Sequence, residues 1–391
     1  MLFLLKKIYR FIRKKKRDYI YSLYDKRIFN LYNTSFNKNA LLSYQPASFL
    51  LPKWFYWYKN DSLYEQNRIF AEVLKEMGFN VDVVSNSDFS FSPDKEYDLL
   101  FDTDVLYKKI YIKQEKKPKV FLHYTTSYYE FHNAQQVNRV NEFNLKTGKN
   151  IKIERPLETK NDGEFADIIL SMGNEFTKNT FPKSLQSKVF SVPNYPMDFL
   201  LKYKKHNLTN INKKNFLYMA SKGAILKGLD ILLEVFARSD TKNLNLYVCG
   251  SFEREYEFME CYSNYFELPN IHKIGWIGLC KKDFKKIIES CSFHIFPSCT
   301  EGMPGALMST MAVGIIPICT KESGLDIDDN ELIIDHNVGD ISKKIINLSN
   351  KSLTDLKILQ NTFIKKSILY KQKHINILKK SMIEINKLIL S

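Results

Sequence analysis

The sequence predicts an α/β protein with two doubly wound units, each a parallel sheet with crossover helices. Three observations support this prediction. The chain has 391 residues, which exceeds the size at which a single hydrophobic core usually stops growing. Short apolar runs alternate with segments of helical period. The strand pattern then starts again at NFLYMAS, from Asn215, after a polar stretch rich in Asn and Lys.

The first unit is predicted from apolar runs in the first half of the chain. NALLSYQ (39–45) is the first predicted strand, and a helix with a buried apolar stripe follows, ending at Gly78. The further predicted strands are NVDVVSN, YDLLFD, KVFLHYT and ADIILSM. Apolar runs separated in this way by helical or turn-rich segments are typical of half of a doubly wound fold.

The second unit repeats the pattern. Its predicted strands are NFLYMAS, NLNLYVCG, NIHKIGWIG, SFHIFPS and GIIPICT. Its predicted helices are KGLDILLEVFAR, KKDFKKIIESC and a helix from Pro304 to about Val313. A long Lys-rich helical pattern closes the chain, and we expect it to cover the sheets of both domains.

These patterns divide the chain into four parts. Residues 1–27 form a basic amphipathic segment, 28–205 the first domain, 206–360 the second domain, and 361–391 a helical segment that packs back on the first. A hinge between the two domains is expected near Pro193 to Asn210, and closure about it would exclude water from a site between them.

Composition narrows the classes of partner. Lys and Arg total 58 against 43 Asp and Glu, a formal net charge of +15 that favours anionic partners. The basic residues are dispersed and lack an RNP, zinc-finger or helix-turn-helix signature, which argues against nucleic acid. Six cysteines without a CxxC pair indicate reduced, buried thiols of a cytoplasmic protein.

The N-terminal segment, residues 1–27, is too short to span a bilayer and is a poor secretory signal. Its basic and aromatic residues suit a peripheral site on the anionic inner face of a membrane. A solvated helix or a tail packed on the first domain is the alternative.

The most informative stretch is FPSCTEGMPGALMS, where a strand ends at Pro297. Pro304 suits the first helical position, because its missing N–H costs nothing there. Gly302 and Gly305 leave room for a ligand near the backbone, and the N–H groups of the helix start suit a diphosphate. The Glu301 carboxylate cannot favour phosphate, but it can accept hydrogen bonds from sugar hydroxyls.

A second loop, in MASKGAILKGLD, carries Lys222 and Lys227 around a turn at Gly223. Two cations beside a helix start can neutralise a diphosphate leaving group. A lysine pair in a loop is by itself usually solvated surface. The Glu301 loop follows another strand of the same domain, and this pairing favours a ligand site.

From about Asn215 to Ile334 the chain resembles the donor domain of the retaining GT-B glycosyltransferases of the large family 4 type. In that family a strand ending in Gly-Arg precedes Lys-Gly, and a Pro-Ser strand end precedes Glu-Gly-x-Pro and a second glutamate. The matching residues are Lys227, Gly228, Pro297, Ser298, Glu301, Gly302 and Pro304, with Gly250, Gly275 and Gly314 at family glycine positions. Lys222 replaces the arginine and loses its bidentate fork. Ser309 replaces the second glutamate.

The resemblance implies the GT-B fold, in which two Rossmann-like domains face a central cleft and a C-terminal helix crosses back to the N-terminal domain. It implies retaining transfer of a sugar from a nucleotide diphosphate sugar to a hydroxyl of a bacterial surface glycan. That glycan is a lipopolysaccharide, a capsule or a lipid-linked oligosaccharide. Retention is described in the family as front-face attack, so no protein base is assigned. No sequence feature demands a metal or a cofactor, and neither is expected.

The implied donor-site roles follow the family motif. Lys222 and Lys227 stabilise the departing diphosphate and Glu301 holds the sugar. The remaining donor-site residues are Gly223, Gly302, Met303, Pro304 and Gly305 at the phosphate and sugar, Ser309 at the ribose, and Trp276, Ile277 and Gly278 near the base.

The first half supplies the acceptor-site candidates. His123, at the end of the strand KVFLHYT, falls where related enzymes often have a histidine near the reacting sugar, and a structural histidine is the alternative. His132 is a weaker candidate. The side chains of Trp54, Tyr56 and Trp57 follow the first strand and can stack on sugar faces or contact lipid. The pair Asp102 and Asp104, in YDLLFDTDVL, is interpreted as a turn and not as a metal site.

Two further functions remain open at this point. A sugar-nucleotide epimerase can share the GT-B fold, although it would need neither the aromatic loop nor a membrane segment. A catalytically silent partner subunit is compatible with Ser309.

Overall fold

Two parallel sheets form the framework of the protein in the computed structural model. The model describes residues 15, 18–19, 21–52, 62–158, 162–203 and 211–390. The predicted α/β class is confirmed, because both sheets are parallel and helices connect their strands.

The first sheet has six strands in the spatial order β2-β1-β3-β4-β5-β6. The strands are β1 (Lys38–Tyr44), β2 (Phe79–Ser85), β3 (Leu99–Asp102), β4 (Lys119–Tyr124), β5 (Ile168–Met172) and β6 (Val189–Val192). In the register Ala40 lies opposite both Val81 and Leu99. Continuous apolar runs form these strands because a parallel sheet is covered on both faces.

Seven helices in the described part of the chain accompany this sheet. They are α1 (Ala47–Leu50), α2 (Leu63–Glu76), α3 (Leu106–Lys113), α4 (Tyr129–Thr147), α5 (Glu175–Asn179), α6 (Lys183–Gln186) and a 3₁₀ turn (Leu200–Tyr203). The long helix α4 ends at Gly148, whose φ of 68° is the left-handed C-cap conformation that glycine adopts most easily.

The second sheet has five strands in the order β11-β10-β7-β8-β9. They are β7 (Asn215–Met219), β8 (Asn245–Cys249), β9 (Ile271–Gly275), β10 (Phe293–Phe296) and β11 (Ile316–Cys319). All five were predicted. Because β7 and β10 are parallel neighbours, the loops that follow them leave the sheet at the same edge.

The helices around the second sheet follow its strands. They are α7 (Leu229–Ala237), α8 (Tyr256–Tyr262), α9 (Lys282–Ser290), α10 (Gly305–Ala312), α11 (Val338–Asn350) and α12 (Leu353–Leu390), with 3₁₀ turns at Phe252–Arg254, Ser263–Glu267, Lys321–Ser323 and Asn330–Leu332. Pro304 is the N-cap of α10, and Gly305 is its first helical residue. The prediction that Pro304 begins this helix was therefore wrong by one residue.

The chain divides into two compact units. Unit 1 contains the residues up to His123, Gly163–Ile169 and the residues from Lys379 onward; unit 2 contains Tyr124–Asp162 and Leu170–Leu378. The final helix α12 has 38 residues and passes from unit 2 into unit 1. Within unit 1, Lys379 pairs with Glu76 at 2.7 Å.

Helix α4 was not predicted, because its buried face is polar. That face includes His132, Gln136 and Arg139 beside Val140 and Phe143, so the sequence lacks a clear apolar stripe.

The six cysteines are free, and Cys280 is exposed, which corrects the expectation that all six are buried. Among the helices of the described ranges, none combines the length and the apolar character needed to cross a membrane.

Candidate donor site

The loop from β7 to α7 has a backbone that two glycines shape. Gly223 and Gly228 have φ values of 96° and 70°, in the left-handed region that favours glycine. Gly228 is also the N-cap of α7. A Cβ at Gly228 would lie 2.4 Å from the Pro297 carbonyl oxygen, so this residue type lets the β7 loop pack on the end of the β10 loop.

The loop after β10 is fixed by backbone hydrogen bonds on both sides. The Cys299 amide donates to the Leu226 carbonyl at 3.0 Å, which ties this loop to the β7 loop. The Glu301 amide donates to the Glu322 carbonyl at 2.9 Å, and the Met303 amide donates to the Ser323 carbonyl at 3.0 Å. These two N–H groups are therefore used within the protein, whereas the prediction had given the Met303 backbone to the ligand.

An ion pair joins the two loops. Lys227 Nζ donates to Glu301 Oε1 at 2.7 Å, and the two side chains are 8% and 17% exposed. Lys227 Nζ also lies 5.5 Å from the centre of the Phe296 ring. Burying a charge is costly unless it has a partner of opposite charge or a hydrogen-bonding group. Each member of this pair can therefore leave the other only when a different ion or polar group takes its place.

Lys222 lies on the other side of the Gly223 turn and is more exposed. Its Nζ is 3.5 Å from Glu154 Oε2, with 58% of the lysine side chain exposed. The amides of Gly223 and Ala224 each donate to the Glu255 carboxylate at 2.8 Å. Burial raises the pKa of Glu255, and these two amides and Lys222 oppose that rise.

His132 is the histidine that unit 2 brings close to the ion pair. Its Nδ1 lies 3.3 Å from Thr300 Oγ1, and Thr300 precedes Glu301. Its Nε2 lies 3.2 Å from the Arg155 carbonyl oxygen. Burial lowers the pKa of His132, while the nearby Glu301 carboxylate raises it. Sequence reasoning gave this residue less weight because only the fold shows its proximity to Thr300.

His123 belongs to unit 1 and lies among aromatic rings. It is 1% exposed, and its ring centre is 4.9 Å from that of Phe70 and 6.4 Å from that of Tyr44. Its predicted acceptor role stays a prediction. The other acceptor candidates, Trp54, Tyr56 and Trp57, lie outside the described residues, as does most of the segment 1–27.

Gly302 and Gly305 have different surroundings. A Cβ at Gly302 would lie 2.6 Å from the Met172 carbonyl oxygen and 2.7 Å from that of Thr125. The space expected for a ligand at Gly302 is therefore filled by protein backbone. At Gly305 the nearest atom, Asn194 Nδ2, would be 3.8 Å away, so space remains there.

The remaining donor candidates lie along the same edge of the sheet. Ser309, on α10, donates its hydroxyl to the Gly305 carbonyl at 2.7 Å. Trp276 follows β9, the edge strand, and is 62% exposed, while Gly278 is buried. Met303 has a φ of 52°, a rare value for a side chain of this size, and the Asn194 side chain donates to its carbonyl at 3.0 Å.

Asp102 forms a turn, as interpreted from the sequence. Its carboxylate accepts hydrogen bonds from the amides of Thr103, Asp104 and Tyr107 at 2.7, 3.1 and 2.6 Å. Burial raises its pKa to about 6. Within the described residues, no group of three or more His, Cys, Asp or Glu side chains is arranged to hold a metal ion. Independence from a metal stays a prediction.

Comparison with known families gives one match. Residues 202–368 match the family model described as glycosyl transferases group 1. This range contains the β7 and β10 loops and therefore Lys222, Lys227 and Glu301. No curated protein sequence matches the chain at a significant level.

Three solved structures are similar in fold. A variant of S. aureus TarM in complex with Fondaparinux, alpha-GlcNAc-glycerol and UDP has a TM-score of 0.50 and 12% identity, covering 74% of this chain and 55% of TarM. Anabaena Alr3699/HepE in complex with UDP and glucose has a TM-score of 0.50 and 13% identity, covering 80% and 88%. A UDP-forming α,α-trehalose-phosphate synthase from Burkholderia xenovorans has a TM-score of 0.52 and 9% identity, covering 85% and 80%.

The fold and the two loops define the class of protein. Two parallel α/β sheets with a long C-terminal helix give it the GT-B fold of the glycosyltransferases. Residues 202–368 match the model of the group 1 glycosyltransferases, and this range holds both loops of the candidate site. The match spans about half of the TarM chain, 55% of its length.

Proposed function

We propose that the protein transfers a sugar, with retention of its anomeric configuration, from a nucleotide diphosphate sugar to a hydroxyl of a bacterial surface glycan. The observation that supports this most is the Lys227 to Glu301 ion pair of 2.7 Å. It stands where the β7 and β10 loops leave adjacent parallel strands, which is where ligands bind in open α/β sheets.

In this proposal the Lys227–Glu301 ion pair opens when the donor binds, and each residue then contacts the donor. The diphosphate oxygens take the Lys227 ammonium group, and Lys222 adds a second positive charge as the sugar bond breaks. Glu301, released from Lys227, accepts hydrogen bonds from sugar hydroxyls. Both partners of the buried pair then keep a charged or polar neighbour, so neither is left uncompensated.

The proposed donor carries uracil. UDP is present in the TarM and HepE structures, and the third similar protein is UDP-forming. In the proposal Trp276, Ile277 and Gly278 lie at the base and Ser309 at the ribose. Gly305 offers the open side of the α10 start to phosphate.

The reaction is proposed to proceed by front-face attack. The leaving phosphate accepts the proton of the acceptor hydroxyl, so the proposal assigns no protein base. It assigns the positive charge opposite the diphosphate to Lys222 and Lys227. In the proposal buried His132, which lies 3.3 Å from the Thr300 hydroxyl, holds the side chain of the residue before Glu301. A bond forms between the acceptor oxygen and the anomeric carbon, and the bond from that carbon to the diphosphate breaks.

The acceptor is proposed to be a lipopolysaccharide, a capsule or a lipid-linked oligosaccharide. The basic residues of segment 1–27 suit an enzyme held at the inner face of the plasma membrane. Removal of residues 1–20 should lower recovery with anionic vesicles and leave the melting temperature unchanged. The rest of the segment 1–27 is kept, because Leu23 is buried and Arg27 pairs with Asp88 at 2.7 Å. Equal recovery of the full and shortened chains would remove the membrane part of the proposal.

A thermal-shift panel tests the donor proposal. UDP, GDP, ADP and CMP and their sugars are added to the wild type and to Lys227→Ala. One nucleotide should stabilise the wild type and should not stabilise the variant. Stabilisation by none of the compounds would contradict the proposed donor site.

Two further measurements test the reaction. Release of free nucleoside diphosphate distinguishes a transferase from a silent subunit, and NMR of the product anomer tests retention.

A further inference from the structure

An irregular segment of unit 2, Ile151–Leu157, is fixed to helix α4 by side-chain amides. Each amide binds the peptide N–H and C=O of one segment residue. Asn144 binds Ile151 at 2.9 and 2.9 Å, Gln136 binds Arg155 at 3.3 and 2.7 Å, and Asn133 binds Leu157 at 2.8 and 3.0 Å. A carboxamide offers one donor side and one acceptor side, as a neighbouring strand would. The segment therefore has a fixed backbone without regular secondary structure.

Arg155 is the most firmly held residue of this segment. Its carbonyl oxygen accepts from Gln136 Nε2 at 2.7 Å and lies 3.2 Å from His132 Nε2. Gln136 and His132 are only 2% and 6% exposed. Two buried polar side chains thus fix the backbone of a residue whose own side chain is exposed. Such an arrangement fixes the backbone from which the Arg155 side chain starts.

The Arg155 side chain lies against the loop that carries the two lysines. A Cβ at Gly223 would be 3.7 Å from Arg155 Cδ. The neighbouring Glu154 reaches Lys222 across the same turn, with 3.5 Å between its Oε2 and Lys222 Nζ. Arg155, Glu154, Gly223 and Glu255 line one small cavity. The segment therefore forms a wall beside the Gly223 turn.

The charges of this wall suit an anion. Glu255 is occupied by the Gly223 and Ala224 amides, and Glu154 neutralises Lys222. Lys227 is neutralised by Glu301. The loop from Ala220 to Gly228 contains lysines and no arginine, so its side chains provide no planar fork of donors. Arg155 is the residue beside the turn that has one.

We propose that Arg155 binds the diphosphate of the donor, supplying from segment Ile151–Leu157 the bidentate contact that Lys222 and Lys227 cannot make. This inference rests on the proposed function. A guanidinium matches two oxygens of a phosphate with parallel hydrogen bonds, whereas each ammonium acts as a point charge. Gln136 and His132 are then positioning residues, because they hold the Arg155 backbone.

Equilibrium titration of UDP and UMP tests the assignment. Arg155→Gln should weaken UDP binding about tenfold and UMP binding about twofold or less, because UMP lacks the diphosphate that Arg155 is proposed to bind. Arg155→Lys should give an intermediate loss for UDP. Arg238→Gln is the matched control, since Arg238 is exposed and pairs with Asp240. It should bind both nucleotides as the wild type does.

Inorganic pyrophosphate serves as a second probe that does not depend on the base. It should also bind Arg155→Gln about tenfold more weakly than the wild type. Wild-type affinity of Arg155→Gln for UDP and pyrophosphate, together with a loss in Lys227→Gln, would overturn the Arg155 assignment and leave the donor site standing. Failure of the wild type to bind either probe would instead overturn the donor site.

Discussion

Two carboxylates that follow parallel strands serve as a natural comparison. In unit 1, Asp102 ends β3 and accepts three backbone N–H groups at 2.6 to 3.1 Å. In unit 2, Glu301 follows β10 and accepts from Lys227, a side chain of another loop. Asp102 is fully buried, while the Glu301 side chain is 17% exposed.

The difference shows how a structural carboxylate can be told from a ligand-binding one. The Asp102 oxygens are engaged by the backbone of their own turn, so a ligand would have to break local structure to reach them. The Glu301 oxygen is engaged by a side-chain ammonium, which in the proposed function turns to the diphosphate of the donor. In that proposal Asp102 is structural and Glu301 binds ligand, although both are acidic residues at the carboxyl end of a parallel strand.

The largest expected effect is on catalysis at the ion pair. Glu301→Gln and Lys227→Gln should each lower the rate of nucleoside diphosphate release by about 10² to 10³-fold, the size seen when one preorganised electrostatic contact is removed. Initial rates at saturating donor measure this. The melting temperatures should fall, because each variant leaves the other charge of a largely buried pair without its ionic partner, so the rates are compared for the folded fraction. A large loss of stability with an unchanged specific rate would make Glu301 resemble Asp102.

Substitutions at Gly302 and Gly305 distinguish a glycine required for packing from a glycine that leaves space for a ligand. Gly302→Ala should lower the free energy of unfolding by about 3 kcal/mol, because its Cβ would meet two carbonyl oxygens at 2.6 and 2.7 Å. Gly305→Ala is the matched control and should fold as stably as the wild type. Denaturant unfolding compares them. If Gly305→Ala alone weakens donor binding, the open space at α10 belongs to the ligand.

Asp102→Asn should affect stability and not chemistry. The variant cannot accept the same three N–H groups, and we expect a loss of about 2 kcal/mol in the free energy of unfolding. Asp104→Asn is the control, because Asp104 takes part in this turn through its backbone amide, which the substitution keeps. The folded fraction of Asp102→Asn should turn over at the wild-type rate. A specific defect in donor turnover would give Asp102 a role in the reaction.

The smallest expected effect is a dependence of stability on pH. Burial lowers the pKa of His294, on β10, to about 3 and that of His374 to about 4. The unfolded chain binds protons near pH 6.5 that the folded chain does not, so this contribution is present above that pH and is lost as the pH falls. Between pH 7 and pH 6 the two residues together should cost about 1 kcal/mol.

Denaturant unfolding at the two pH values measures this contribution. His294 accepts from the Met219 amide at 3.2 Å and its Nδ1 lies 2.8 Å from Thr310 Oγ1, so the folded strand holds the neutral ring. His294→Gln should be less stable than the wild type at pH 7 but should lose less on acidification. An identical pH dependence in both proteins would contradict the assignment.

The sequence was sufficient for ten of the eleven strands, all except β6 (Val189–Val192), and for the two loops of the site. Apolar runs bounded by glycine and proline mark β7 and β10, and the lysines and Glu301 follow them directly. It was not sufficient for α4, whose buried face is polar, or for segment Ile151–Leu157, which has no periodicity. The contact between His132 and Thr300 joins residues that are far apart in the sequence, so no local pattern predicts it.

The sequence also could not identify what surrounds each glycine. Gly302 and Gly305 are three residues apart in one motif, yet only Gly302 faces a carbonyl within 2.7 Å. The backbone that fills this space comes from Thr125 and Met172, far away in the chain. Glycine is therefore needed at position 302 for packing. The sequence motif alone cannot show whether a glycine is needed for packing or for space around a ligand.

The most direct test of the donor site is calorimetric titration of UDP into the wild type, Lys227→Gln and the control Lys242→Gln. Lys242 is exposed and lies after α7, outside both site loops. We predict that UDP binds the wild type and Lys242→Gln equally and binds Lys227→Gln at least about tenfold more weakly. Equal UDP affinity in Lys227→Gln and the wild type would contradict the account, because the ion pair would then not be the place where the donor binds.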